Sequence, residues 1–360
     1  MKCTKCGGRA TIELRRHNAA FCAGDFQEFF RKQVREAIRK HRMFTTDEPV
    51  MVAVSGGKDS LALWDVLIDD GYRTTGLYLD LGIFDYSVES KAKCEAFAAK
   101  RGVPLIISRV EEEVGAPIPV IKQVTRRPPC SGCGLSKRYL MNRTALQHGF
   151  PVVATGHNLD DEAATLFGSV MHWQMDALPR QSPALASTHP KLVRRVKPLY
   201  RLSERETAAF AFLRKIDYIV DECPFAKGAT LIAHKEILNR MEEASPGAKH
   251  NFLFGFLEKG RAAFERVENV VLNECTRCGQ VTTGTVCAFC KLTRRLELAP
   301  RICRTRGSRR RRVDATTVGR EAKRRSLPPS QRFSARFQAP SRPWGTKITI
   351  SVKIRPTGIR

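Results

Sequence analysis

Short apolar segments alternate with segments of helical periodicity in the middle of the chain. The apolar segments have the length of buried strands and comprise residues 50–54, 75–79, 103–107 and 152–154. Helical spacing of apolar residues follows the first, second and fourth of them, over residues 58–68, 88–101 and from about Asp160. Strands and helices that alternate in this way predict an α/β fold, with a parallel sheet covered by helices on both faces.

Two further helical regions flank this pattern. Before it, apolar residues recur at helical spacing while Arg and Lys fill the opposite face, which predicts a basic amphipathic helix over residues 26–44. After Ser203 the pattern is mainly helical, with helices predicted over residues 204–214, 232–243 and 252–270. The last two of these helices predict a helical extension behind the α/β region.

Positive charge is concentrated towards the end of the chain. Of the net charge of +26, residues 300–360 carry +16, from 18 Lys and Arg against two acids, which leaves +10 for residues 1–299. The last segment is rich in Arg and contains Pro, which predicts a largely disordered tail, although residues 348–354 alternate like a strand. The basic excess favours a polyanionic partner, with nucleic acid the first candidate, but it would also simply keep a protein soluble.

The sequence gives no indication of a membrane protein. No apolar run approaches the ~18 residues that a membrane-spanning helix needs, and residues 1–6 contain no apolar stretch that could act as a secretory signal. We therefore expect a cytoplasmic protein with no membrane partner. In that compartment the 12 cysteines are better explained as metal or redox ligands than as disulfides.

A glycine-containing hexapeptide, Ser55 to Ser60, directly follows the first predicted strand and opens a helix. Gly56 and Gly57 let the backbone turn so that several N–H groups converge on an anion, and the helix dipole and Lys58 add positive potential. It is not a Walker A loop, because the four-residue spacer between the glycines is missing. A Gly-Gly turn alone means little, but the whole sequence Ser-Gly-Gly-Lys-Asp-Ser predicts an ATP site.

A second strand-to-helix turn, residues 156–163, contains three consecutive acids. It places Asp160, Asp161 and Glu162 at the start of a predicted helix. These acids could act only as an N-cap, since Asp and Glu favour the first helical turn. Opposite a phosphate loop, however, they suit Mg²⁺ coordination better.

The last cysteine cluster has the spacing of a structural zinc site. Two C-x2-C pairs lie eight residues apart and consist of Cys275, Cys278, Cys287 and Cys290. Each pair can form a knuckle, and four thiolates can close a tetrahedral zinc site.

The first cysteine cluster also predicts zinc but leaves its fourth ligand open. Cys3, Cys6 and Cys22 supply three thiolates. Asp25 lies at knuckle spacing from Cys22 and is slightly favoured as the fourth ligand, with His17 as the alternative.

The middle cysteine pair, Cys130 and Cys133, has no second pair nearby and cannot close a zinc site locally. Cys223, which precedes a proline far along the chain, is the obvious distant partner. Three cysteines suggest an iron–sulfur cluster with one iron left open, or a redox-active set of thiols; Cys223 could instead be buried and inert. Cys94 and Cys303 are expected to take no part.

Together these segments resemble the TtcA/TtuA family of tRNA 2-thiolation enzymes, most closely its TtuA branch, over roughly residues 1–298. The hexapeptide resembles the PP-loop of the N-type ATP pyrophosphatases, which adenylate a substrate oxygen and release pyrophosphate. The two flanking zinc sites and the three-cysteine set indicate the branch. In that branch the first zinc site ends in histidine, where this chain has Asp25.

The resemblance implies an adenine nucleotide α-hydrolase-like fold and a sulfurtransferase that makes 2-thiouridine in tRNA, with position 54 of the T-loop favoured. It implies ATP contacts at Ala53, Ser55, Lys58, Ser60, Leu79, Lys137 and Gly156. It implies a [4Fe–4S] cluster on Cys130, Cys133 and Cys223. It also implies that a small ubiquitin-like carrier with a C-terminal thiocarboxylate delivers the sulfur.

The predicted organisation has six parts. In chain order they are a zinc-binding module (1–25), a basic linker helix (26–49), a PP-loop domain with the iron–sulfur site (50–225), a helical extension (226–272), a zinc ribbon (273–298) and the Arg-rich tail (299–360). The oligomeric state is left open between a monomer and a homodimer.

The predicted chemistry follows from the leaving group. A C2 carbonyl oxygen leaves poorly, whereas an AMP-bearing oxygen can be expelled by a sulfur nucleophile. Lys58, the loop amides and Mg²⁺ would stabilise charge on pyrophosphate, and Asp59 and Asp161 would hold the metal or orient the nucleotide. The basic helix and the zinc modules would hold the tRNA by its shape and backbone.

Two alternatives remain open from the sequence. The enzyme could thiolate another tRNA position, namely the anticodon wobble uridine or the cytidine at position 32. A member of a different class, a non-catalytic zinc-ribbon RNA-binding protein with a regulatory nucleotide site, would bind RNA persistently without releasing AMP.

Overall fold

The computed structural model describes residues 1–125, 128–264 and 271–299. The predicted tail, the strand-like residues 348–354 and Cys303 lie outside the described residues. No described helix is long and apolar enough to cross a bilayer.

The described part alternates strands and helices over residues 50–171, as the sequence predicts. The strands are β1 (Ile12–Leu14), β2 (Ala19–Phe21), β3 (Val50–Val54), β4 (Thr74–Asp80), β5 (Leu105–Arg109), β6 (Val152–Thr155), β7 (Ala184–Leu185), β8 (Arg194–Val196), β9 (Asn273–Glu274) and β10 (Val281–Thr282). The α-helices are α1 (Ala23–Lys40), α2 (Lys58–Asp69), α3 (Phe84–Arg101), α4 (Val110–Val114), α5 (Ile118–Thr125), α6 (Pro129–Gln147), α7 (Leu159–Met171), α8 (Glu204–Leu213), α9 (Thr230–Ala244), α10 (Ala248–Gly255) and α11 (Ala288–Glu297).

The central sheet has the strand order β5-β4-β3-β6-β8-β7. Its first five strands in this order run parallel, and β7 adds an antiparallel edge. The chain leaves β3 towards β4 and β5, and then returns to the other side of β3 to form β6. Ligands of open α/β sheets bind at such a reversal of strand order, beyond the carboxyl ends of the strands. The topology therefore directs attention to the loops that follow β3 and β6.

Hydrophobic periodicity predicts most of the elements around this sheet, with shifted ends. β3 has the predicted bounds, whereas β5 lies two residues later than predicted and α3 begins at Phe84, four residues earlier. The predicted helix over 252–270 differs in its described part: α10 begins at Ala248 and is followed by a π-helical turn (Phe256–Gly260) and a 3-10 turn (Arg261–Phe264). Residues 265–270 of this prediction lie outside the described residues.

Helix α6, which carries Cys130 and Cys133, is absent from the sequence prediction. Polar residues Ser136, Asn142 and Thr144 occupy buried positions on it beside Leu140 and Ala145, so its buried face lacks a continuous apolar stripe to mark it. The buried side-chain amide of Asn142 has a hydrogen-bond partner, because its Nδ2 donates to the Lys191 carbonyl at 2.9 Å.

Aromatic stacking attaches the terminal modules to the α/β domain. Phe30 of α1 stacks on Phe210 of α8 with ring centroids 4.1 Å apart. Phe289 of α11 stacks on Tyr139 of α6 with centroids 3.6 Å apart. The last cysteine cluster is thereby packed against the helix that carries the middle cysteine pair.

Candidate nucleotide site and cysteine clusters

The loop between β3 and α2 has the tight backbone that an anion site needs. Gly56 has φ +76°, and a Cβ there would lie 2.5 Å from the Ser90 carbonyl oxygen of α3. Ser55 N–H donates to Ser60 Oγ at 3.1 Å, and that hydroxyl donates to the Gly57 carbonyl at 3.0 Å. The Ser60 hydroxyl therefore fixes the loop from inside, and the exposed Ser55 remains at its open side.

The strand ends that surround the loop carry the other predicted ATP residues. Ala53 of β3 pairs in register with Leu77 of β4 and with Thr155 of β6. A Cβ on Gly156 would lie 2.7 Å from the Ser60 backbone nitrogen, so the end of β6 touches the start of α2 only because residue 156 is glycine. Leu79 is buried near the end of β4. The structure thus brings residues 53, 79 and 156 to one edge of the sheet, around the loop.

Charged side chains from four helices meet at this edge. Lys58 Nζ lies 3.0 Å from Asp59 Oδ2 and 2.8 Å from Glu204 Oε1. Lys235 Nζ lies 2.6 Å from Asp161 Oδ1 and 3.1 Å from Glu204 Oε2. Both oxygens of the Glu204 carboxylate are therefore paired with lysines, one from the phosphate loop and one from α9.

The pKa shifts at this edge follow from burial and from these pairs. Partial burial raises the pKa of Asp59, although Lys58 opposes the rise. Burial would also raise the pKa of Glu204, but Lys58 and Lys235 outweigh it and lower that pKa to about 2. Burial alone would lower the pKa of Lys58, but Asp59 and Glu204 outweigh burial and raise that pKa. Lys58 and Glu204 are thus both charged at neutral pH.

The three consecutive acids do not share one role. Asp160 is buried against Lys249, and its Oδ2 accepts the Glu204 N–H at 2.8 Å. Glu162 is buried, and its Oε2 lies 2.6 Å from Lys197 Nζ. Both residues point into the protein, so the sequence expectation that all three acids face the phosphate loop is corrected: burial and lysine pairing engage two of them.

Asp161 alone of the three acids lies at the site. It forms a capping box with Asn158, in which Asn158 N–H donates to Asp161 Oδ2 at 3.0 Å and Asp161 N–H donates to Asn158 Oδ1 at 3.1 Å. Asn158 Nδ2 also donates to Asp59 Oδ1 at 3.1 Å, which links the two predicted catalytic aspartates. The N-cap interpretation and the site interpretation therefore both apply to this turn.

Sequence reasoning missed Asn158, Glu204 and Lys235. Glu204 follows the capping residue Ser203 at the start of α8, and Ser203 and Glu206 form a capping box that is visible in the sequence. That signal marks a helix start and says nothing of Lys58. No sequence signal brings Lys235 to Asp161, because their helices meet only in the folded chain.

The first cysteine cluster is assembled as predicted from spacing. Ligand atoms of Cys3, Cys6, Cys22 and Asp25 all lie within 4.8 Å of one another. The Cys6 and Cys22 sulfurs are 3.9 Å apart, while ligands at ~2.3 Å from one tetrahedral zinc stand roughly 3.8 Å apart. The donor set therefore fits zinc.

His17 lies outside this group. Its ring packs edge-on against Phe29 with centroids 5.0 Å apart, and its Nε2 lies 3.9 Å from Glu206 Oε1. The structure brings Asp25, not His17, to the three thiols. Asp25 reaches them from the first turn of α1, which Cys22 caps.

The last cysteine cluster has the same size but is more buried. Sulfurs of Cys275, Cys278, Cys287 and Cys290 lie within 4.8 Å of one another, and three of the four residues are buried. Cys278 and Cys287 sulfurs are 3.7 Å apart, again the separation expected around one zinc. Backbone N–H groups of Cys287 and Cys290 donate to the sulfurs of Cys275 and Cys287 at 3.3 Å, which suits thiolates.

The three middle cysteines converge more loosely. Cys130 and Cys133 begin α6, and Cys223 approaches from the loop before α9. Burial is the main cause that raises the pKa of the Cys133 thiol, Lys137 opposes the rise, and Cys223 and Cys130 add to it. These residues therefore lie close together, although within the described ranges they are not a set with all ligand atoms within 4.8 Å. Thiolates are the donor type that iron–sulfur clusters use, so the chemistry of this donor set is compatible with such a cluster.

Lys137 links the cysteines to the nucleotide edge. It lies two turns along α6 from Cys130, half-buried, and its charge acts on Cys133. Lys137 also lowers the pKa of His157, the residue after Gly156, although burial is the main cause of that shift. Lys137 therefore lies between the middle cysteines and the end of β6. Cys94, by contrast, is fully buried on α3, and burial raises its pKa to about 12.

Two family models match the chain. The PP-loop domain model matches residues 26–226. A model described as the N-terminal LIM domain of the 2-thiouridine synthetase TtuA matches residues 2–27.

Curated relatives share much of the sequence. The tRNA-5-methyluridine(54) 2-sulfurtransferase of Thermus thermophilus is 50% identical over 292 residues, which cover 81% of this chain and 91% of the relative. The enzyme of the same name from Pyrococcus horikoshii is 42% identical, over 81% of this chain and 93% of the relative.

A solved structure shares the fold. The U34-tRNA thiolase NcsA from Methanococcus maripaludis, determined with its [4Fe–4S] cluster, superposes with a TM-score of 0.72 at 24% identity. The match covers 83% of this chain and 98% of that chain.

Proposed function

Because the chain belongs to the PP-loop family of tRNA 2-thiolation enzymes, in its TtuA branch, we propose that it replaces the C2 oxygen of a tRNA uridine with sulfur at the expense of ATP. The favoured substrate is the uridine at position 54, which is the position named for its curated relatives. The observation that carries the proposal is the position of the phosphate loop: it lies at the strand-order reversal, with Asp59 and Asp161 linked there through Asn158.

The proposed reaction has two steps. The C2 oxygen attacks the α-phosphorus of ATP, the bond from that phosphorus to the bridging oxygen breaks, and pyrophosphate leaves. A sulfur nucleophile then attacks C2, and AMP departs with the original oxygen. The products are 2-thiouridine, AMP and pyrophosphate.

The phosphate loop would act on the first step. The N–H groups at the start of α2 and Lys58 point to where a phosphate chain would lie, so they would stabilise the charge that develops on pyrophosphate. Gly56 and Gly156 allow the backbone to pack this tightly around the loop, because a Cβ on either would clash with Ser90 or Ser60. Ser55, Ser60, Ala53 and Leu79 would border the nucleotide.

Asp59 and Asp161 are the proposed ligands of Mg²⁺. They are bridged by Asn158 and stand near Lys58, so a divalent cation bound to them would be close to the phosphates. Asp160 and Glu162 have no part in this proposal, because they are buried in lysine pairs.

Cys130, Cys133 and Cys223 are proposed to hold a [4Fe–4S] cluster, which leaves one iron free of protein ligands and accessible to sulfide. Lys137 would hold the substrate or nucleotide phosphate between the cysteines and the strand ends. Cys223→Ala should remove both iron and thiolation while the zinc content stays the same. Full sulfur transfer by an iron-free preparation would instead favour a persulfide route through two of these cysteines.

The remaining parts of the proposal concern metals and partners. The two end clusters would each bind a structural zinc, and an aspartate would complete the first. Sulfur would come from a ubiquitin-like carrier with a thiocarboxylate terminus. The six-part domain organisation, a homodimeric state and the cytoplasmic location remain predictions.

Position 34 is the second candidate, since the structural neighbour is named as a U34-tRNA thiolase. Its 24% identity establishes a shared fold and leaves the position open. Mass spectrometry of tRNA fragments from a deletion strain separates the candidates, because the loss of 2-thiouridine at position 54 or at position 34 appears in different fragments.

The reaction class is tested with purified enzyme, tRNA, ATP and a sulfur source. Chromatography should detect AMP and pyrophosphate that form in step with 2-thiouridine. ADP and phosphate as the main products would exclude the proposed adenylation. Stable binding of RNA without any AMP release would favour a binding protein.

A further inference from the structure

Lys235 is the feature of the nucleotide edge that the proposed mechanism leaves unused. It belongs to α9, which follows the segment matched by the PP-loop domain model. Its Nζ nevertheless lies 2.6 Å from Asp161 Oδ1 and 3.1 Å from Glu204 Oε2. The helical extension, for which the sequence suggests no role in the reaction, therefore adds an ammonium group to the catalytic edge.

Glu204 connects Lys235 to the phosphate loop. Its Oε1 binds Lys58 and its Oε2 binds Lys235, so the two ammonium groups are separated by a single carboxylate. A carboxylate and a phosphate group offer the same kind of acceptor oxygen to a lysine. A phosphate chain that replaced this carboxylate would thus find two lysines already directed at it.

The charge balance favours such an exchange. Because Asp59 and Asp161 are the proposed Mg²⁺ ligands, Glu204 is the carboxylate that remains paired with both Lys58 and Lys235. A polyphosphate could not approach Lys58 at low cost while Glu204 remained between the lysines, since like charges at close range repel. The Glu204 side chain also has room to turn into solvent, because it is 40% exposed, whereas that of Lys235 is only 22% exposed.

A neighbouring pair shows what a purely structural lysine looks like here. Lys249 Nζ binds Asp160, and the two side chains are only 7% and 5% exposed. Lys249 also donates to Asn239 Oδ1 at 2.7 Å, which completes its partners inside the protein. Lys235 differs because both its partners belong to the nucleotide edge and remain open to solvent.

We propose that Lys235 is a second phosphate-binding lysine of the ATP site, and that the Glu204 carboxylate holds Lys58 and Lys235 until the β- and γ-phosphates of ATP displace it. This rests on the proposed function only in taking ATP as the nucleotide. The core of the site, the PP-loop, thereby receives a ligand-binding residue from the helical extension.

The test compares two nucleotides on the full-length protein by equilibrium titration without tRNA. The probes are AMP, and α,β-methylene-ATP, which cannot be cleaved to AMP. Lys235→Met should weaken binding of the triphosphate about tenfold, the loss expected from removing one charge-assisted contact. It should leave AMP binding unchanged, because AMP lacks the two outer phosphates. Lys235→Arg should restore most of the triphosphate affinity.

Glu204→Gln should change triphosphate affinity in the opposite direction. Removing the competing negative charge should tighten triphosphate binding several-fold and leave AMP binding unchanged. Arg240→Met, which removes an exposed positive charge from the same helix, is the matched control and should change neither. Thermal unfolding of each variant checks that the fold is retained.

Equal losses of AMP and triphosphate binding in Lys235→Met would overturn the proposal, and so would weaker triphosphate binding in Glu204→Gln. Either result would make these residues a structural ion pair. The proposed function is judged separately, by 2-thiouridine formation in the wild-type protein. If the wild type makes no thiolated tRNA, while Lys235→Met weakens triphosphate binding and Glu204→Gln tightens it, the proposed function is rejected and the second phosphate-binding lysine is retained.

Discussion

The nucleotide edge and the two end cysteine clusters are built in different ways. The edge collects side chains from α2, α7, α8 and α9 around the ends of β3, β4 and β6, so that its members come from distant parts of the chain. Each end cluster takes its ligands from one short segment, residues 3–25 or 275–290. The edge is partly open and charged, whereas the last cluster is mostly buried in apolar surroundings.

This difference separates chemistry from stability. A side chain at the edge can be removed without opening the core, because these charged groups are partly exposed and pair with one another. A ligand of the last cluster cannot be removed without opening the core, because Cys275, Cys287 and Cys290 belong to the same hydrophobic cluster as residues of α5 and α6. We therefore expect edge variants to lose activity and keep their fold, and variants of the last cluster to lose both together.

The largest effect is expected from Lys58→Ala. It removes the ammonium group that would stabilise departing pyrophosphate, so AMP formation should fall at least about 10²-fold, as for loss of one preorganised donor. The melting temperature should stay within a few degrees, since Lys58 is paired at the open edge. Rate measurements and thermal unfolding check both points. A large drop in melting temperature would break the proposed separation.

Next in size is Cys278→Ser in the last cluster. Three thiolates cannot close a structural zinc site well, so elemental analysis should find about one zinc fewer per chain. Because Phe289 stacks on Tyr139 of α6, unfolding of this cluster should also lower thermal stability and disturb the neighbouring Cys130 and Cys133. Unchanged zinc content would reject the assignment.

A smaller effect is expected from Asp25→Ala in the first cluster. This cluster keeps three thiolates, and Cys6 is exposed, so water can take the fourth position. Zinc should bind more weakly but still be present, which competition with a chelator would measure. Asp25→Cys is the control and should bind zinc at least as tightly as the native protein. If Asp25→Ala binds zinc as the native protein does, the carboxylate is not a ligand.

The smallest effect on the reaction is expected from removing residues 301–360. Their 18 Lys and Arg would contact phosphates without reading sequence, so the truncated protein should show a weaker salt dependence of tRNA affinity. Titrations at several salt concentrations measure it. The thiolated position should not change, and a shift in the modified nucleotide would show that this segment selects the substrate.

The features that could be predicted from the sequence are those whose signal is local. The phosphate loop requires glycine where φ is positive, so it is legible as a short motif. Both end clusters could be predicted because their ligand residues have the short spacing that zinc knuckles require. The alternation of strands and helices indicated the parallel sheet, because burial on both faces demands continuous apolar strands.

Which distant groups meet could not be predicted, because folding brings them together. Folding directed Asp160 and Glu162 inwards to lysines, left Asp161 at the edge, and packed His17 against Phe29 away from the first cluster. Helix α6 was not predicted because buried polar residues interrupt its apolar face. Lys235 reached Asp161 through the packing of α9 on α7. Electrostatic pairing acts through space, so its partners carry no spacing along the chain that could be read in advance.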